Sequence, residues 1–114
     1  MTKKTKLISI ARDFSIDPGP RFRQQGRHSG QEFREDYIAR HLKDGPVTVV
    51  LDGTRGFGSS FIDEAFGGLV RVEGYSPGDL RKLLTIISEE DETYGVEAWE
   101  SIDQAHNPSK EKHA

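Results

Sequence analysis

Two kinds of hydrophobic spacing alternate along the chain, and their order predicts an α/β fold. Short, β-branched apolar runs predict three strands, at residues 6–11, 47–51 and 83–87. Apolar positions three or four residues apart predict three helices, at residues 29–42, 60–70 and 94–105. Because residues 47–51 are continuously apolar, the pattern indicates a central strand that is buried on both faces.

The alternation of strands with helices predicts one small domain. We expect a mainly parallel, or mixed, sheet of three to four strands with about three helices. The domain is predicted to span residues 1–106, with a flexible tail at residues 107–114. Residues 80–84 fit a helical turn as well as the start of the third strand, so this boundary stays open.

Glycine, proline and serine mark the irregular parts of the chain. Residues 13–30 contain two prolines and three glycines, which predicts a long loop. Ser29 and Glu32 form a capping box that begins the first helix. In the second helix, Gly67 and Gly68 each cost about 1 kcal/mol relative to alanine. Either the helix ends early or something approaches closely there, and a partner and the domain's own sheet are both candidates.

Composition excludes several classes of protein. Apolar residues make up 33% of the chain and cysteine is absent, which excludes disulfides, thiolate metal sites and a cysteine nucleophile. No apolar run is long enough to span a membrane, and the N-terminus lacks the pattern of a signal peptide. We therefore expect a cytoplasmic protein with no membrane contact.

Charge is distributed unevenly along the chain. The net charge of −3 divides into about +4 over residues 1–42 and −7 over residues 43–114. An acidic total argues against broad nucleic-acid binding, which requires many phosphates to be neutralised. Residues 89–103 contain seven acids and no base, which a solvated helix face explains better than a partner site.

The turn at residues 53–60 lies between a predicted strand and a predicted helix, where phosphate-binding loops lie. Ser59 stands where the P-loop pattern requires lysine, and Phe61 where the dinucleotide pattern requires glycine. The backbone N–H groups of residues 58–61, together with Arg55, still offer an anion site. A nucleotide- or phosphate-binding sensor is therefore an alternative function.

A basic cluster in the preceding loop would strengthen such a site. It consists of Arg21, Arg23, Arg27 and His28. If the loop folds over the strand ends, its arginines would meet Arg55 and clamp a carboxylate or phosphate.

A third hypothesis, a small hydrolase, requires a serine, a histidine base and a carboxylate. Serines, histidines and Asp52 or Asp63 are present, but no serine lies in a G-x-S-x-G elbow. No two histidines have metal-ligand spacing. We therefore predict no catalytic residue, no metal and no cofactor.

Several motifs carry a resemblance to a known family. Residues 47–52 and 60–71 resemble the central strand, turn and helix of STAS domains, the sulphate-transporter and anti-sigma-factor-antagonist modules. Over about residues 7–90 the chain looks more closely like the prokaryotic STAS-like domain family of unknown function. The motifs concerned are Ile10-Ala-Arg-Asp-Phe14, Pro18-Gly-Pro-Arg21, Gly26-x-x-Ser29-Gly30, Phe33-Arg34-Glu35, Gly56-Phe-Gly-Ser-Ser-Phe61 and Glu64-Ala-Phe-Gly-Gly-Leu69.

The resemblance implies a regulatory module that docks on a protein, in classical systems a serine kinase with a histidine-kinase-like ATPase fold. Classical antagonists are switched by phosphorylation of a serine that follows an aspartate near the start of the helix. Here Asp63 is followed by Glu64 and Ala65, so that acceptor is missing and Glu64 would place a permanent charge near the switch position. For the nearby Ser59 and Ser60, we favour helix N-capping over phosphorylation.

We therefore predict a non-enzymatic regulatory module whose partner is a protein, with a histidine-kinase-like ATPase as the candidate. The predicted binding residues are Arg21, Arg23, Arg27, Arg55, Gly56, Gly58, Ser59, Ser60, Glu64, Gly67 and Gly68. The oligomeric state and the phosphorylation of the two serines stay open.

Overall fold

The computed structural model describes residues 4–105, which form a parallel sheet with helices packed against it. The strands are β1 (Lys6–Ser9), β2 (Val47–Val50) and β3 (Leu84–Ile87), in the spatial order β1-β2-β3. Both pairings are parallel, and Val49 lies beside Ile8 on one side and Ile86 on the other. The predicted α/β fold with a mainly parallel sheet is confirmed. The predicted tail at residues 107–114 lies outside the described residues.

Four longer helices follow the strands in this part of the chain. Helix α1 covers residues 30–42 and helix α2 residues 59–71, and each contains a middle turn of π type, at Arg34–Ile38 and Asp63–Gly67. Helix α3 spans Pro77–Leu83 and helix α4 spans Glu92–Gln104. Shorter helical turns at Ile10–Phe14 and Arg23–Gln25 lie in the segment before α1, most of which was predicted to be a loop.

Local caps explain where the helices begin. The Ser29 hydroxyl accepts a hydrogen bond from the N–H of Glu32 at 3.0 Å, as the capping box predicts. Sequence reasoning left residues 80–84 open between a helical turn and a strand, and it did not recognise that Ser76 caps helix α3 in the same way or that Pro77 occupies its first position. Residues 80–83 therefore belong to the helix, and the third strand begins at Leu84.

The central strand is buried on one face only. Val47, Val49 and Leu51 are buried, whereas Thr48 and Val50 keep partial exposure and Leu7 on the neighbouring strand is half exposed. The prediction of burial on both faces is wrong, because the helices described here leave the Thr48 face incompletely covered.

Helix α2 lies at the centre of the helical layer and contacts both α1 and α4. Its approach to α1 is close enough to require a glycine. A Cβ atom added to Gly30 would lie 2.6 Å from the backbone oxygen of Phe61. This contact fixes the start of α2, and with it the turn at residues 53–60, against the core.

Candidate functional site

The turn at residues 53–60 joins β2 to α2 at the edge of the sheet where the strands end. Two reciprocal hydrogen bonds hold it there. The N–H of Glu90 donates to the Asp52 carboxylate at 2.8 Å, and the N–H of Gly53 donates to the Glu90 carboxylate at 2.5 Å. The segments that follow β2 and β3 are thus clamped to each other.

Two glycines allow the turn to pack closely against its neighbours. Gly53 and Gly56 have φ values of 90° and 119°, which L side chains rarely adopt. A Cβ atom added to Gly56 would also lie 3.0 Å from the hydroxyl oxygen of Tyr94. Between these constraints, Phe57 packs against Phe61 and Tyr94 with ring centroids 5.5 and 5.0 Å apart. The backbone of the turn is therefore preformed.

The outer part of the turn is open to solvent. Arg55, Gly58, Ser59 and Ser60 are all exposed. The N-cap of α2 is Gly58, so the expectation that Ser59 or Ser60 caps this helix is wrong. The Phe61 N–H, expected to be available for an anion, donates to the carbonyl oxygen of Gly58 at 3.1 Å.

A pocket of about 300 Å³ lies beside the turn. Its charged and polar lining comes from Asp52, Thr54, Arg55, Glu90, Asp91 and Tyr94. Three carboxylates against one guanidinium give this edge of the sheet a negative character, which opposes the approach of a phosphate. The electrostatics therefore do not favour the predicted anion site.

The arginines of the loop do not join Arg55 in a clamp. The loop does reach the turn, since the Arg55 N–H donates to the carbonyl oxygen of Ile16 at 2.8 Å. However, Arg21 bonds to the Asp63 carboxylate at 2.7 Å, and Arg23 pairs with acids on α1. The prediction that these two arginines converge on Arg55 is wrong, because they form ion pairs with carboxylates on α1 and α2 instead. Arg27 is exposed.

Asp63 connects the loop to α2. Its carboxylate accepts from Arg21 at 2.7 Å and from Arg71 at 3.1 Å. Partial burial raises the pKa of Asp63, but these charged donors outweigh burial and hold the pKa below its ordinary value of 3.8.

We expect the stability contributed by Asp63 to depend on pH. A carboxyl with a depressed folded pKa stabilises fully above its unfolded pKa, and this contribution disappears as the pH falls through the folded value. The destabilisation caused by Asp63→Asn should therefore be largest near neutral pH and shrink below about pH 3.8. Urea unfolding of both proteins across pH measures it, and a difference that is constant down to acid pH contradicts the assignment. The Arg71→Leu variant should raise the pKa of Asp63 in a carboxyl NMR titration.

Glu64, Gly67 and Gly68 lie inside the molecule, so the prediction that they bind a partner at the surface is wrong. The Arg34 side chain, only 2% exposed, binds the Glu64 carboxylate and also donates to the Glu64 carbonyl oxygen at 2.9 Å. A Cβ atom added to Gly68 would lie 2.9 and 3.0 Å from Cδ and Cζ of Arg34. The close approach inferred from the two glycines exists, but part of it comes from this buried arginine.

Gly67 faces another internal neighbour. A Cβ atom added there would lie 2.7 Å from Nη1 of Arg71 and 3.2 Å from the backbone oxygen of Ser101 in α4. Both glycines thus serve internal packing. Sequence reasoning quoted Arg34 in a family motif but did not predict its buried ion pair, although a charged residue four positions before Ile38 in the apolar helix stripe was a signal.

The hydrolase hypothesis gains no support from the geometry. Within residues 4–105, neither Ser59 nor Ser60 has a hydrogen bond to a histidine. His28 packs against the Phe14 ring at 5.4 Å, and His41 lies in a groove beside β1. The same part of the chain holds no group of three or more His, Asp or Glu side chains arranged for a metal ion. It also contains no helix long and apolar enough to cross a bilayer.

Comparison with known proteins gives one finding. A family model described as "STAS-like domain of unknown function (DUF4325)" matches residues 29–94, more than half of the chain. The matched region runs from the cap of α1 into α4 and includes the whole 53–60 turn. The resemblance inferred from the motifs is confirmed. No significant match was found among curated proteins or solved structures.

Proposed function

The chain belongs to the STAS-like domain family of unknown function, and on this basis we propose that it is a non-enzymatic regulatory module that docks on a protein partner. The docking face comprises the outer part of the 53–60 turn and the first turn of α2, with Arg55, Gly58, Ser59 and Ser60. A histidine-kinase-like ATPase is the candidate partner, by analogy with classical STAS systems.

The observation that carries this proposal is a rigid backbone with exposed side chains. The turn is clamped at Gly53 by Glu90 and anchored by Phe57, while Arg55 and the two serines face solvent. A preformed surface loses little conformational entropy when it binds. Within residues 4–105, apart from the two chain neighbours of Gly58, no atom lies within 4 Å of a Cβ added to it, so a partner has room to approach the backbone there.

The serines give this face a means of regulation. Ser59 and Ser60 are the first residues of α2, and both are exposed. A phosphoryl group on Ser60 would add nearly two negative charges at the centre of the docking face. Because Glu64 is buried against Arg34, it presents no permanent charge to the partner, and the charge state of the face would be set by the serines.

We expect Arg55→Glu to weaken partner binding at least about tenfold, because reversing a charge within an interface opposes the complementary charge on the partner. The partner is first recovered by affinity purification of the tagged chain from its native cells, and the affinity of the purified pair is then measured. Ser60→Asp should weaken binding as well, while a negative residue in the first turn is compatible with a stable helix.

The matched control is Arg40→Glu, another exposed arginine, on α1 and away from the turn. It should bind the partner like the unmodified protein, and all three variants should show the same thermal unfolding. Two results would refute the proposal: a folded protein that retains no specific partner, or equal affinity of Arg55→Glu and Arg40→Glu. Calorimetry with millimolar ATP and GTP should give no binding heat, and a heat lost in Arg55→Glu would instead establish a nucleotide sensor.

A further inference from the structure

A second exposed surface lies at the outer edge of the sheet, between β3 and α4. We call it the β3 groove and define it by Ile86, Glu92, Val96, Trp99, Glu100 and Asp103. It encloses about 450 Å³ and is open to solvent along its length. Its most exposed apolar side chain is Val96, at 57%. The groove therefore brings an exposed apolar side chain next to the partly buried Trp99 at the edge of the sheet.

The floor of the groove is an edge strand that has backbone groups available for pairing. Strand β3 is the last strand in the described sheet. The Leu51 N–H donates to the carbonyl oxygen of Ile87 at 2.8 Å, which places the polar groups of Thr85 and Ile87 on the β2 side. By the alternation of a parallel ladder, the N–H and C=O of Ile86 point away from the sheet. Among residues 4–105 nothing pairs with them.

The rim of the groove is acidic. Glu92, Glu100 and Asp103 line it, and no basic residue occurs between residues 89 and 103. Arg81 shows that an aromatic ring and a carboxylate of this groove together bind a cation. Its guanidinium lies 4.1 Å from the centre of the Trp99 ring and 2.7 Å from the Asp103 carboxylate.

We propose that the β3 groove binds an extended segment of a partner protein that carries apolar residues and lysine or arginine on the same side of the strand. The segment adds as a fourth strand, and its backbone pairs with the N–H and C=O of Ile86. Its apolar side chains pack on Val96 and Trp99. Its basic side chains lie on the same side as the apolar ones, because residues two positions apart in a strand point to the same side, and they meet Glu92 and Glu100 on the same helix face.

Charge complementarity selects this occupant over a second copy of the chain. Two copies joined at β3 would bring their acidic rims together, and like charges at an interface cost binding energy. The groove is also separate from the docking face at the 53–60 turn, which follows the central strand. Binding at the β3 groove is therefore an additional function that does not depend on the docking proposed above.

The test uses the full chain, isotope-labelled for NMR, and a short peptide with the pattern Lys-Thr-Val-Thr-Lys, which places the valine and both lysines on one side of the strand. We expect saturating peptide to slow hydrogen exchange at the Ile86 amide at least about tenfold, because that N–H becomes hydrogen-bonded. An analogue with glutamate in place of lysine should bind at least about tenfold more weakly. Equal binding of the two peptides, binding without protection of Ile86, or no binding at millimolar peptide overturns the proposal.

Two exposed valines provide a matched pair of variants. Val96→Lys places a positive charge in the groove and should weaken lysine-peptide binding at least about tenfold. Val72→Lys makes the same change at the end of α2, where Val72 is 61% exposed, and should leave the affinity within about twofold. Arg55→Glu should bind the peptide normally, which separates this site from the docking face. Concentration-dependent dimerisation that Val96→Lys abolishes would assign the groove to a second copy instead.

Discussion

Replacing Arg34 with methionine should lower the free energy of unfolding by about 3 kcal/mol. The guanidinium is 2% exposed and holds Glu64, whose side chain is 8% exposed, and it also bonds to Glu73 at 3.0 Å. Breaking a buried ion pair costs about 3–5 kcal/mol because the remaining charge is left without its partner. Arg21, 3.4 Å from Glu64, keeps some compensation in place, so the low end of this range is expected. Urea unfolding followed by circular dichroism measures the change.

The control for this variant is Arg40→Met on the same helix, where the arginine is exposed. It should change stability by less than about 0.5 kcal/mol. Replacing Glu64 with methionine in the Arg34→Met background should recover part of the loss, because an apolar pair can substitute for a buried ion pair. A loss below about 1 kcal/mol in Arg34→Met would show that the ion pair contributes little.

Changing Gly68 to alanine should destabilise the protein by about 2 kcal/mol, although a glycine in a helix interior normally gains about 1 kcal/mol from this change. The added Cβ would meet Arg34 at Cδ and Cζ, 2.9 and 3.0 Å away. A long exposed side chain would move aside at little cost. Arg34 cannot do so easily, because Glu64 and Glu73 hold its guanidinium inside the core. The new methyl group must therefore displace a buried charge from its partners, which outweighs the gain in helix propensity.

Gly78→Ala is the matched control for this prediction. Gly78 lies in α3, and outside its own helix backbone and chain neighbours the described part of the chain offers its added Cβ the Ser76 hydroxyl at 3.9 Å, an ordinary van der Waals distance. This variant should therefore gain up to about 1 kcal/mol. The double variant should lose less unfolding free energy than the sum of the losses in Gly68→Ala and Arg34→Met, because both changes disrupt the same contacts. If Gly68→Ala is as stable as Gly78→Ala, the steric account is wrong.

These contacts also bear on regulation. The position next to Asp63, where classical antagonists carry a phosphorylated serine, is occupied by a buried glutamate that joins α1 to α2. A change of charge at this position would disturb the packing of α1 on α2, and the buried group would not be presented to a partner. Under the function proposed above, regulation by charge is therefore assigned to Ser59 and Ser60, which are exposed at the start of the same helix.

Much of the fold follows from interactions between residues close in the chain. Sequence alone predicted the cap at Ser29, the β-branched run of β2 and the helical stripe of α2, because capping and hydrophobic periodicity depend on residues a few positions apart. The short helix α3 stayed undecided in the sequence because residues 80–84 fit both a helical turn and the start of a strand. The burial of β2 on one face also escaped prediction, since it depends on where the helices lie.

In the candidate site, too, local sequence predicted some features and contacts between distant segments determined the others. The 53–60 turn and its exposed serines were found from a strand, a glycine-rich stretch and a helix in succession. By contrast, Arg21 pairs with an aspartate 42 residues away and Arg34 with a glutamate 30 residues away. The position of Gly67 and Gly68 inside a helical stripe indicated that another group packs closely against them. Only the packing of α1 on α2 identifies Arg34 as that group for Gly68. A buried arginine requires a carboxylate beside it, and here the carboxylate comes from a segment that is distant in the chain.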